Sequence, residues 1–216
     1  MSLPPRPLRY DLLRVASDLT RLGLNKGTAG NVSVRFEDGL LITPSGVPAA
    51  RLSPALMVEI DGRGGFHGEA APSSEWRFHR DIYAHRPDVG AVVHTHAPFC
   101  TALACQRRGI PAFHYMIAVA GGKTIRCADY ATFGSQELSD AAVAALEGRR
   151  ACLLANHGMI ATGANLDAAL KLAQEVEELA EQYWRVLQLG EPILIDDAEM
   201  DRVLEKFRSY GQPRKV

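Results

Sequence analysis

The chain has 216 residues, 47% hydrophobic and 23% charged, enough to bury one substantial core, with no composition break to mark a second domain. Its 24 Lys and Arg against 25 Asp and Glu leave a net charge of −1 without long runs of one sign, which argues against nucleic acid or an anionic membrane as partner. The opening MSLPPRPLRYDLL lacks the apolar core of a signal peptide and the Arg/Ser-rich pattern of a transit peptide, and no run of about 18 apolar residues follows, so a soluble cytoplasmic protein is expected.

In chain order, Leu12, Val15, Ala16, Leu19 and Leu22 recur at helical spacing, and Gly23 ends that helix. VSVRF (32–36), the turn residues Asp38-Gly39 and LLITP (40–44) predict a hairpin, with a short strand at MVEI (57–60). SSEWRFHRDIYAH (73–85) predicts a helix with a serine N-cap, stopped before Pro87. A strand at AVVHTH follows, then a helix over Leu138–Leu146, a buried strand at ACLLA (151–155) and a long helix over 166–189. Strands and helices mix without a regular βαβ repeat, which predicts an α/β layered fold around a largely antiparallel sheet. Cys100, Cys105, Cys127 and Cys152 form no CxxC pair and are expected as buried free thiols.

The chemistry begins at AVVHTHAPF. In a strand, residues i and i+2 share a face, so His94 and His96 project side by side. A catalytic metal keeps about three protein ligands and one open position, and His157, before Gly158 at the end of a buried strand, is the natural third. Glu75 follows Pro72-Ser73-Ser74 as a fourth ligand or a general base. His67, His79, His85 and His114 have no such setting and read as surface or structural residues. Three small-residue turns, GTAGN (27–31), TPSG (43–46) and PSSE (72–75), offer backbone N–H groups to an anion, the last beside Glu75. Each alone reads better as an ordinary turn. Together they suggest a phosphorylated substrate whose reactive end meets a metal.

The segments LTRLGLNKGTAGNVSVR, LLITPSG, PSSEWRFH, VVHTHA, IPAFHYMIAVAGGKTI, YATFGSQELS, NHGMIA and EKFRSYG resemble the class II aldolases of the aldolase/adducin family along nearly the whole chain. The resemblance implies one three-layer domain over 1–216, a central mainly antiparallel sheet flanked by helices, assembled as a homotetramer with active sites between subunits. It implies Zn²⁺ on His94, His96 and His157, with Co²⁺ or Mn²⁺ as substitutes. Glu75 is implied as the ligand that substrate displaces and that then moves protons. Phosphate is implied on Asn31, Ser45, Gly46, Ser73 and Ser74, with Thr28 close by. Tyr115 is implied as a residue supplied to the adjoining subunit's site, Tyr210 as one on a mobile C-terminal tail from about 207, and Phe133 as a wall of the aldehyde pocket. Thr95 departs from the family's Asn between the paired histidines.

The activity so implied is reversible cleavage of a ketose 1-phosphate, fuculose 1-phosphate or a related pentulose or 5-deoxypentulose 1-phosphate, to dihydroxyacetone phosphate and a short aldehyde. Epimerases, dehydratases and decarboxylases of phosphorylated sugars share this fold, and the epimerases carry Asp where Glu75 stands. The non-catalytic adducin head lacks the metal histidines that this chain has.

Overall fold

The computed structural model describes residues 6–209. Helix α1 (Arg6–Arg21) buries Leu12, Val15, Ala16 and Leu19, each large side chain contributing about 1.5–3 kcal/mol of transfer free energy, and ends at Gly23 with φ +76°. Strands β1 (Asn31–Phe36), β2 (Gly39–Ile42), β3 (Val58–Ile60), β4 (Phe66–His67), β5 (Ala91–Thr95), β6 (Arg126–Ala128), β7 (Ala151–Leu154) and β8 (Gly158–Gly163) form one sheet in the order β4-β3-β2-β1-β5-β8-β7-β6. Of the described pairings only β6 with β7 is parallel, bridged by α4 (Gln136–Ala145), so the expected α/β domain with a mainly antiparallel sheet is the one observed.

The predicted hairpin turn is displaced by one residue. Phe36 pairs with Gly39, so the loop is Glu37-Asp38, with Glu37 at φ +49°. Gly39 is already in the strand, where a Cβ would lie 2.0 Å from the Ile60 carbonyl oxygen. Close approach of β3 demands that glycine, rather than turn conformation.

Two apolar layers sandwich the sheet. On one face pack α1, α3 (Pro98–Cys105), α5 (Leu166–Leu189) and α6 (Asp197–Ser209); on the other, α2 (Trp76–His85) and α4. Along β5, Ala91 and Val93 enter the first layer and Val92 the second, as a period of two requires. Asn165 caps α5 by accepting from Ala168 N at 2.9 Å, and the helix buries the stripe from Ala169 to Tyr183.

Helix α2 starts at Trp76 with Glu75 at its N-cap, two residues later than a Ser73 cap predicts. Residues 72–75 are drawn instead onto the end of β2: Pro44 bridges Pro72, Ser73 N donates to Thr43 O at 3.1 Å, and Ser45 N donates to Ala71 O at 3.0 Å. The four cysteines are free, but only Cys100 and Cys152 are buried; Cys127 is half-buried against the first layer and Cys105 is exposed. Among the described residues no helix is long and apolar enough to cross a membrane. The tail expected from about 207 is helical to Ser209, and Tyr210 lies outside the described residues.

Candidate active site

His94 and His96 leave the end of β5 on the α2 face, and His157 meets them from the turn between β7 and β8. Their ring centroids are 5.0, 4.8 and 4.9 Å apart, and one ligand atom from each lies within 4.8 Å of the others. The turn that delivers His157 places Asn156 at φ +54° and continues into Gly158, where a Cβ would stand 2.3 Å from Thr95 O and 3.1 Å from His96 Cδ2. Gly158→Ala is therefore expected to push β8 off β5 beside His96, lowering Tm by several degrees at about 2–4 °C per kcal/mol and weakening metal binding together. Thermal scans with and without added metal check both.

Glu75, at the residue before α2, closes the group. Its Oε2 lies 3.2 Å from His94 Nε2 and its Oε1 3.1 Å from His157 Nε2. His94 Nδ1 faces the Met159 carbonyl at 2.9 Å, so in the neutral ring Nδ1 carries the proton and Nε2 offers a lone pair toward the carboxylate. Glu75 Oε1 is buried and accepts no aligned hydrogen bond. Two acceptors facing each other in a dry site repel unless positive charge lies between them. Three imidazoles and one carboxylate are the donor set of a divalent transition ion, so these residues fit a bound metal. Burial favours protonation of Glu75, but positive charge gathered on the facing imidazoles of His94 and His157 outweighs it and holds the carboxyl well below its usual range. Burial, with His94 and His157 adding to it, lowers His96 to about 4, which keeps that ring neutral and able to ligate.

Beside this group lies a cavity of about 330 Å³. It is walled by Thr28, Gly30 and Asn31 of the first turn, Ser45 and Gly46 of the second, and Ser73, Ser74 and Glu75 of the third. His96 and His157 form its floor, and Tyr130, Phe133 and Asn156 stand at its rim. Gly30 and Gly46, at φ +72° and +69°, give their turns the left-handed residues that concave clusters of N–H groups need. At Gly30 a Cβ would also strike Asn25 and the His94 carbonyl oxygen, the latter at 2.6 Å.

Every described phosphate candidate thus lines one cavity with two of the three histidines. Tyr115 does not: it sits half-exposed on the 3₁₀ helix Tyr115–Ala120 and is not among the residues lining the cavity. His67 and His85 are exposed, and His114 caps the 3₁₀ helix by accepting from Met116 N.

Three residues at the site carried no readable signal. Asn25 Oδ1 accepts from His96 N at 3.0 Å and holds that end of β5 in place, and Tyr130 and Asn156 reach the rim. His79, read as surface or structural, is wholly buried. Its Nε2 lies 2.5 Å from Asn31 Oδ1, while Asn31 Nδ2 donates to Glu75 Oε2 at 2.9 Å.

The family model for the class II aldolase and adducin N-terminal domain matches residues 10–184. The chain belongs to that family. It is 67% identical over 204 residues to the 5-methylthioribulose-1-phosphate/5-deoxyribulose-1-phosphate aldolase of Rhodospirillum rubrum, covering 94% of this chain and 92% of the relative. Against the L-fuculose phosphate aldolase of Escherichia coli K12 the identity is 52% over 205 residues, covering 94% and 95%. A solved L-fuculose 1-phosphate aldolase superposes with a TM-score of 0.91 at 42% identity, covering 96% of this chain and 98% of that one. This class II aldolase is therefore an aldehyde-lyase of a metal-dependent family, and the His94, His96 and His157 group is able to hold the ion.

Proposed function

We propose that this class II aldolase cleaves the C3–C4 bond of a 5-substituted ribulose 1-phosphate, 5-methylthioribulose or 5-deoxyribulose 1-phosphate, to dihydroxyacetone phosphate and a two-carbon aldehyde. The observation that carries the reaction type is the single cavity in which an anion cradle from three turns adjoins the histidine group and Glu75. The choice of ketose is supported by the 67% identity to the Rhodospirillum rubrum enzyme, against 52% to the fuculose phosphate aldolase.

His94, His96 and His157 would hold Zn²⁺, with Glu75 as the ligand that gives way to substrate. Bound zinc supplies the positive charge that stabilises the negative charge left on the three-carbon fragment when the bond breaks. The N–H groups around Gly46 and Ser74, with the hydroxyls of Thr28, Ser45, Ser73 and Ser74, bind the phosphate and so fix how far the chain of carbons reaches. Asn31 has one amide hydrogen beyond that given to Glu75, and it is available to the same phosphate. As the C3–C4 bond breaks, the C4 hydroxyl gives up its proton and becomes the aldehyde, and Glu75, freed by substrate and protonated in that exchange, returns a proton to C3 of the three-carbon fragment.

Phe133 and Tyr130, both more than half exposed at the rim, receive the aldehyde end. Tyr115, half exposed and not lining its own cavity, fits a residue that works in a neighbouring subunit's site, and we take the assembly to be a homotetramer.

The test is dihydroxyacetone phosphate release by zinc-loaded protein from methylthioribulose, 5-deoxyribulose, ribulose and fuculose 1-phosphates, with a chelator control. Chelator-sensitive release, with kcat/KM highest for the first two, is expected. The margin over fuculose 1-phosphate should be modest, since a methyl or hydroxyl in such a pocket is worth about 1–3 kcal/mol. A preference for fuculose 1-phosphate would reassign the substrate, and no release from any of the four would overturn the aldolase reading.

A further inference from the structure

Strand β1 turns Asn31, Ser33 and Arg35 toward α2, while Val32 and Val34 enter the opposite layer. A polar strand face buried against a helix is costly unless every group is paired, and here the pairs form one chain. Tyr83 Oη lies 2.8 Å from Ser33 Oγ, Ser33 Oγ 2.7 Å from His79 Nδ1, His79 Nε2 2.5 Å from Asn31 Oδ1, and Asn31 Nδ2 2.9 Å from Glu75 Oε2. Ser33 and His79 are fully buried, and Asn31, Glu75 and Tyr83 nearly so. Arg35 pins the far end, donating to the carbonyls of Tyr83 and Arg86 at 2.9 and 2.8 Å.

The carboxylate fixes the direction of this chain. Glu75 Oε2 can only accept, so Asn31 must present its NH₂ to Glu75 and its oxygen to His79. His79 then has to donate through Nε2–H, and its Nδ1 accepts from the Ser33 hydroxyl, which in turn accepts from Tyr83. Reversing any one member leaves two acceptors or two donors face to face without water to separate them. Burial, with the neighbouring His94, keeps the His79 ring neutral by lowering it to about 3.

We propose that His79 is a positioning residue of the aldolase reaction: its Nε2–H locks the Asn31 amide, and through it the rotamer in which Glu75 faces the histidine group. The inference rests on the aldolase reading of the site. A purely structural His79 would serve only to dock α2 on β1, and the two roles differ in what they move.

The experiment compares His79→Phe, His79→Gln, Asn31→Ala and the His79→Phe/Asn31→Ala pair in the zinc-loaded enzyme, and records ¹⁵N spectra of histidine-labelled wild type, with the His79 signals assigned by their loss in His79→Gln. His79→Phe keeps the ring volume beside Phe78 but has no donor, and kcat is expected to fall about 10–100-fold, more than KM rises, since Asn31 is one of several phosphate contacts but is the route by which His79 orients Glu75. Glutamine can place its amide nitrogen near the Nε2 position, and His79→Gln is expected to recover most of that loss. On an Asn31→Ala background His79→Phe should cost little more, because its effect passes through Asn31.

Wild-type His79 should show a protonated Nε2 and a bare Nδ1. Undiminished kcat in His79→Phe, losses that multiply in the double variant, or a proton on Nδ1 would overturn the proposal. If His79→Phe fails to fold, the glutamine variant and the tautomer still decide it. If wild type releases no dihydroxyacetone phosphate, the aldolase reading fails and this role for His79 with it, whereas failure confined to the His79 variants leaves that reading standing.

Discussion

Replacing Glu75 by glutamine is expected to lower kcat by about 10²–10⁴-fold, the range that a positioned acid–base group contributes, while fold and bound metal survive. The amide has the carboxylate's shape and its oxygen can still accept from Asn31 Nδ2, so the buried chain through His79 stays intact. His94, His96 and His157 remain to hold the ion. What disappears is a group able to carry a proton at a position within 3.2 Å of His94 and His157. Metal content by mass spectrometry and Tm should stay near wild type while turnover collapses. A fully active Glu75→Gln enzyme would remove Glu75 from the mechanism.

His94→Ala is expected to cost more, because it strikes metal, cavity and sheet together. The ring is wholly buried, stacks edge-on against Phe78 at 5.5 Å between centroids and donates to Met159 O. Its loss should abolish stoichiometric metal and reduce kcat/KM by more than about a thousandfold, and should destabilise the apoprotein by about 2–4 kcal/mol through the vacated volume and the orphaned carbonyl. Chelation of the wild type isolates the metal's share. An ion present at a hundred times its Kd stabilises by about 2.7 kcal/mol, so the stripped enzyme should melt roughly 5–10 °C lower and regain both Tm and activity on metal addition. Undiminished activity after exhaustive chelation would contradict a metal centre at these histidines.

The sequence carried the local rules that build this site. Period two in VVHTH set His94 and His96 on one face, helical periodicity marked α1 and α5, and small-residue turns marked the anion cradle. The motif resemblance reached further than the residues did alone, since to the paired histidines, His157 and Glu75 it added roles for Tyr115, Phe133 and Tyr210. The missed features are those in which a local pattern has two tertiary outcomes. The alternation in NVSVR reads equally as a strand with one face in water; only the packing of α2 turns that face into a buried polar chain and makes His79 part of the active site. Gly39 reads as a turn glycine until β3 is laid 2.0 Å from where its Cβ would be. Residues 73–75 read as the capped start of a helix until the end of β2 draws the segment out through Thr43 and Ser45.

By itself, then, the sequence determined which residue types were available and on which local face each would stand, because side-chain direction follows from backbone period alone. The tertiary structure decided which of those faces met. Burial made an asparagine, a serine and two aromatic side chains into one directional hydrogen-bonded chain ending on Glu75, since a polar group removed from water has to find its partner within the fold.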